Sequence, residues 1–219
     1  MHRLALLFCL LFASTLAAEE ANLAPPGSAR EQLNRFSRGL ETLHARFEQK
    51  VISGDGSVED SSGGQVWLSR PQRFRWEYGG EFPEVIVADG QRVWIYDVAL
   101  EQVTVKDQST AAADSPLNLL TEPARLDEQF DVREAGDAAG LQLLEFRSRS
   151  MESDFERILL GLRDNALELL IMEDAVGLRT ELRFGMIERN PALDEELFIF
   201  EPPAGVDVLG DPNVGDGDA

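Results

Sequence analysis

The chain has 219 residues, a length that a single domain accounts for and that suffices to bury a sizeable core. Its 40 acidic and 20 basic residues give a formal net charge of −20, which repels nucleic-acid phosphates and anionic lipid surfaces alike. Its single cysteine, Cys9, excludes a disulfide framework, and its position near the N-terminus leaves the rest of the chain without a cysteine metal site or thiol catalysis.

Residues 1–18 read as a secretory signal: Arg3, then the apolar run Leu4–Phe12, then small residues at Ala17 and Ala18. Cys9 sits inside the apolar run behind bulky Phe8, too early to serve as a lipid-attachment cysteine. No later apolar run reaches the roughly 20 residues that a spanning helix needs, so no stable membrane insertion is expected. The remainder is expected to be one domain over residues 19–210, soluble and monomeric, followed by a disordered Gly/Asp-rich tail over 211–219.

Glu19–Gly27 is acidic and then Pro-rich, and is predicted to be unstructured. Ser28 and Glu31 form a capping box that opens a predicted helix running to about Lys50. Leu33, Phe36, Leu40, Leu43 and Phe47 fall on one face of that helix. The charges opposite are mixed in sign, which favours packing on a sheet over lying on a membrane. Residues 53–64 are predicted to be a polar loop.

Between Gly64 and Asp97 lie all three tryptophans and both tyrosines. Strict alternation over Arg73–Tyr78 puts Phe74, Trp76 and Tyr78 on one face of a strand. Val85, Ile86 and Val87 lead into Asp89-Gly90, a strong hairpin signal, and the chain returns as Val93–Tyr96. The aromatic face of these strands is either ordinary core or the lining of an apolar cavity, with Phe74, Trp76, Tyr78, Val87 and Trp94 as its candidate residues. Gln102–Lys106 is a further short strand. Ser115-Pro116 then starts a short apolar helix carrying Leu117, Leu119 and Leu120, placed either to plug one end of the sheet or to act as a lid.

From Phe130 the pattern is that of an antiparallel meander: Phe130–Glu134, Leu141–Arg147, Phe155–Leu162, Ala166–Glu173, Thr180–Ile187 and Leu197–Phe200. Leu159-Leu160 and Leu169–Met172 are apolar on both faces, as expected of a curved sheet with an interior. The fold class is therefore α+β and mainly β: a half-open antiparallel β-barrel of about eleven strands, with an amphipathic N-terminal helix.

Signs of chemistry are sparse. His44 is the one histidine outside the signal and has no partner nearby in sequence. There is no HExxH, no Gly-x-Ser-x-Gly and no phosphate-cradling Gly loop. Asp55 and Asp60 lack EF-hand spacing. No catalytic residue, metal site or cofactor is predicted.

Gly64-x-Val66-Trp67-Leu68-x-Arg70-Pro71-x-x-Phe74-x-Trp76, followed by Asp89-Gly90-x-x-Val93-Trp94-x-Tyr96, resembles the LolA family of periplasmic outer-membrane lipoprotein carriers. Phe198-x-Phe200-x-Pro202-Pro203-x-Gly205-Val206 is similar to that family's closing strand and turn. The resemblance covers roughly residues 28–210 and implies a periplasmic, non-enzymatic carrier. Such a carrier takes acylated lipoproteins from an inner-membrane ABC release complex and hands them to an outer-membrane receptor. It also implies a helical lid with Leu117, Leu119 and Leu120 on its underside. Arg70 would hydrogen-bond lid carbonyls, Phe74 would act in handing on the cargo, and Trp76 would form the cavity wall. A lipid- or lipoprotein-sensing regulatory domain on the same fold, and a cell-envelope hydrolase, are the competing readings. The acidity of this chain and of its tail exceeds what the family leads one to expect.

Overall fold

The computed structural model describes residues 27–111, 126–149, 153 and 155–213. The elements run α1 (Ala29–Ser37), β1 (Thr42–Ile52), β2 (Val58–Ser69), β3 (Arg73–Gly79), β4 (Glu84–Ala88), β5 (Arg92–Asp97), β6 (Gln102–Asp107) and α2 (Gln108–Ala111). Then follow α3 (Leu126–Gln129), β7 (Phe130–Ala138), β8 (Leu141–Ser148), β9 (Arg157–Arg163), β10 (Ala166–Glu173), β11 (Arg179–Arg189), a 3-10 turn (Glu195–Phe198) and β12 (Asp207–Leu209). The strands form one 12-stranded sheet in the order β12-β6-β5-β4-β3-β2-β1-β11-β10-β9-β8-β7. All neighbours are antiparallel except the short β12, which runs parallel to β6. β12 and β7 are the two edges, so the sheet is open.

Ser28 caps α1 as its sequence promises, accepting from the Glu31 backbone N–H. The helix is much shorter than expected, however. Gly39 adopts φ +64, which ends the helix, and the chain re-emerges as β1. Leu43, Ala45 and Phe47 are buried at every second position rather than on a helical face. The spacing 36, 40, 43, 47 fits a helix by coincidence. Two pairing partners, β2 and β11, decide the matter by satisfying both edges of β1.

The predicted polar loop is likewise mostly strand. Only Ser53–Ser57 turns, with Asp55 accepting from the Ser57 backbone N–H and from the Ser53 and Ser57 hydroxyls. These bonds, led by the Ser57 backbone N–H, hold the Asp55 carboxyl down at about 2. β2 then starts at Val58. Its glycines serve the pairing: a Cβ on Gly64 would lie 1.8 Å from the Glu77 carbonyl oxygen, so only glycine lets β3 approach there.

At the other end, Leu197–Phe200 is not a strand. Asp194 caps the 3-10 turn by accepting from the Glu196 N–H. Pro202 and Pro203 lack the N–H that a ladder needs, and pairing resumes only at β12.

α1 lies across β8, β9 and β10, which defines the inner face of the sheet. Leu33 and Phe36 of α1 join Leu43, Phe47, Val66, Leu144, Phe146, Leu160, Leu162, Leu170 and Leu182 in one buried cluster drawn from both halves of the sheet. A second, smaller cluster lies on the outer face of β4–β6: Val87, Trp94, Val103 and Val105, packed by Phe200 and Val206.

Candidate functional site

The aromatic residues of β3 stand where their alternation places them. Phe74, Trp76 and Tyr78 all face inward and pack, half-buried, against the main core. Two aromatics that the sequence reading did not assign to the site complete the wall. Phe47 of β1 meets Trp76 edge-on at 4.8 Å and Tyr78 edge-on at 5.0 Å. Phe184 of β11 lies 6.5 Å from Trp76. Both hide behind misleading signals, Phe47 in a helix-like spacing and Phe184 more than 100 residues away from β3 in the chain. The β3–β4–β5 register continues the wall sideways, since Trp76 faces Ile86 and Ile86 faces Ile95. Adjacent rings in offset or edge-on contact favour a stiff, apolar surface.

Val87 and Trp94 do not belong to this wall. Phe74 pairs with Ala88, so Val87 pairs with Arg75 and points to the outer face, and Trp94 pairs with Val87. There the C-terminal segment covers them: the Phe200 ring lies 5.7 Å from Trp94. The Trp94 indole N–H donates to Asp89 at 2.9 Å. The candidate site as read from the sequence therefore splits between the two faces.

Arg70 follows β2 at the upper rim, where its backbone N–H donates to Glu41 O at 2.9 Å and its Nη1 donates to Leu40 O at 3.5 Å. Buried Gln108 ties the same rim together. It donates to Gln72 O at 2.6 Å and accepts from the Gly90 N–H at 2.9 Å. Leu117, Leu119 and Leu120 lie outside the described residues. His44 is on β1 rather than on a helix; it points outward, stacks on Trp67 at 5.1 Å and bonds Gln65.

At the opposite, lower end the inner face becomes polar. A cavity of about 690 Å³ is lined by Gln49, Asp60, Tyr78, Glu84 and Asp97, with the Gly79–Pro83 turn. Tyr78 joins the two zones: its ring is part of the aromatic wall and its hydroxyl donates to Gln49 Oε1 at 3.1 Å. Burial, and secondly the Glu84 carboxylate, push the Tyr78 phenol up to about 12. Burial, then the charge of Asp97, raise Glu84. Among the described residues no cluster of three or more His, Cys, Asp or Glu side chains is placed to hold a metal ion. Nor is any described helix long and apolar enough to cross a membrane.

The inner face thus joins a partly exposed aromatic surface to a polar cavity. The family described as outer membrane lipoprotein carrier protein LolA matches residues 38–201. An outer-membrane lipoprotein carrier protein of Xanthomonas campestris pv. campestris (strain B100) is 41% identical over 216 residues, covering 96% of this chain and 99% of its own. One of Dechloromonas aromatica (strain RCB) is 39% identical over 183 residues, covering 84% of this chain and 88% of its own. Among solved structures, an uncharacterized conserved protein from Thermus thermophilus superposes with a TM-score of 0.54 at 16% identity, covering 83% of this chain and 98% of its own, a likeness of fold only. The chain belongs to the LolA family of outer membrane lipoprotein carrier proteins.

Proposed function

We propose that the protein is a periplasmic carrier that buries the acyl chains of outer-membrane lipoproteins against its inner face. It would accept them from an inner-membrane ABC release complex and deliver them to an outer-membrane receptor. The observation that carries this reading is the wall of half-buried Phe74, Trp76, Tyr78 and Phe184 built against buried Phe47, on the face whose β8–β10 half is covered by α1. Acyl chains gain about 0.8 kcal/mol per buried methylene, so a chain of about a dozen contributes roughly 10 kcal/mol gross. That is enough to keep a lipid anchor out of water for the crossing. It is also so much that release requires a receiving site at least as favourable. The high net negative charge would keep the loaded carrier off anionic membrane surfaces.

The test is to purify the processed protein from cells expressing a palmitoylated outer-membrane lipoprotein, alongside Arg70→Leu and Phe74→Glu variants. A soluble one-to-one complex that the wild type passes to outer membranes supports the carrier. Lipoprotein that stays in the membrane fraction while every form of the protein is recovered empty overturns it.

A further inference from the structure

The lower cavity and the aromatic wall are one continuous surface, and its chemistry changes abruptly along the strands. On the inner face, Tyr78 of β3 pairs with Glu84 of β4, and Glu84 with Asp97 of β5. One step up the same strands stand Trp76, Ile86 and Ile95. Gln49 and Asp60 extend the polar row onto β1 and β2, and Glu81 closes it from the β3–β4 turn. None of the side chains lining this cavity is basic. The upper rim, by contrast, is tied by Gln108 across Gln72 and Gly90. An apolar chain lying along the wall with its head toward this end places that head in the lower cavity, whose lining sets the Glu84 and Asp97 carboxylates beside the Ser61 and Ser62 hydroxyls.

We propose that this cavity selects cargo by charge: Glu84 and Asp97 admit acyl groups whose head is neutral or donates hydrogen bonds, and reject those whose head is anionic. The excluded class comprises free fatty acids and anionic phospholipids, which share the acyl chain of a lipoprotein and would otherwise compete for the same wall. An amide-linked acyl chain brings an N–H and no charge. A carboxylate or phosphate would be a further negative charge beside a pair that already repel each other, and like charges brought together in a partly desolvated site disfavour binding. Burial of the Glu84 carboxyl, which raises its pKa, is what makes a third charge there costly. The inference rests on the acyl-carrier reading above and adds a rule for what that site refuses.

The test uses three probes with the same twelve-carbon chain and different heads: N-methyl dodecanamide, dodecylamine and dodecanoate. Each is titrated below its micellar concentration into the processed protein and followed by tryptophan fluorescence and calorimetry. The amide and the amine are expected to bind at least about tenfold tighter than dodecanoate at neutral pH and low salt. In a Glu84→Gln/Asp97→Asn double variant the ratio of amide to dodecanoate affinity is expected to fall to within about twofold of unity. Equal affinity for all three probes in the wild type, or an undiminished ratio in the double variant, overturns the charge filter and leaves the acyl site standing. Failure of the wild type to bind any probe overturns the acyl site and the filter with it.

Discussion

Where β8, β9 and β10 form the sheet, α1 seals the inner face, and Phe36, Leu144, Phe146 and Leu160 are at most 1% exposed. Where β3, β4 and β5 form it, Phe74, Trp76, Ile86 and Ile95 on the same face are only half-buried. On the outer face the pattern reverses. The C-terminal segment lays Phe200 and Val206 over Val87 and Trp94 of the second region. The first region carries a ladder of charges instead, with Arg157 bridging Glu145 at 2.6 Å and Glu173 at 3.0 Å. Arg157 first, and Arg147 with it, hold the Glu145 carboxyl below its ordinary range. One sheet thus keeps a sealed core in one half and a partly exposed apolar surface, the proposed acyl site, in the other. The second half is packed on both sides, by the main core within and by Phe200 and Val206 on the side away from the proposed site.

The sharpest way to break this division is to strike the sealed half. Phe36→Ala empties a fully buried site under α1 and is expected to cost about 4 kcal/mol, near the middle of the range for deleting a core phenylalanine. Urea denaturation measures it. A loss below about 1 kcal/mol would show that α1 is not what holds that half together.

Next in size are substitutions that separate the two faces of the other half. Phe200→Ala uncovers Trp94 and Tyr96, which lie 5.7 and 6.0 Å from its ring. A half-buried ring should cost roughly half a core deletion, about 2 kcal/mol, while acyl-probe affinity stays within about twofold. Trp76→Ala on the inner face is expected to have a comparable or smaller effect on stability, about 1–2 kcal/mol, and to weaken acyl-probe binding at least about tenfold. If Phe200→Ala abolished probe binding and Trp76→Ala spared it, the ligand surface would be the outer one.

How far the sequence anticipates this division depends on which interactions set each element. β3–β6 are legible because alternation and the Asp89-Gly90 turn are local. So are β8, β10 and β11, where turns at residues 139–140, 164–165 and 174–178 punctuate apolar runs. β1 and β2 are not: Leu40, Leu43 and Phe47 mimic a helix, and Val58–Gly64 has too little apolar character to announce a strand. Both are fixed by long-range pairing, which leaves no local trace. The same reason governs the site. Phe74, Trp76 and Tyr78 share one strand, so their common face follows from counting by two. Whether Val87 joins them depends on the β3–β4 register, and a shift of one residue moves the whole strand to the other face.

The smallest effect, and the one that probes the boundary between wall and polar cavity, is the pH dependence of Glu84→Gln. In the folded protein burial and Asp97 raise the Glu84 pKa above its ordinary value of 4.5. The native state therefore binds this proton more tightly than the unfolded chain does. Keeping the carboxylate ionised then works against folding at any pH above the raised pKa, and the native state gains stability as pH falls through it. Glutamine removes that charge without changing the shape. The variant is expected to melt higher than the wild type at about pH 8, with the difference shrinking as the pH falls through the raised pKa and vanishing below 4.5. Thermal melts of both proteins across that range, at low salt so that Asp97 is felt in full, measure the difference directly. A difference that stays constant with pH would mean that Glu84 acts through packing alone. The like-charged pair at the end of the wall would then have no energetic consequence.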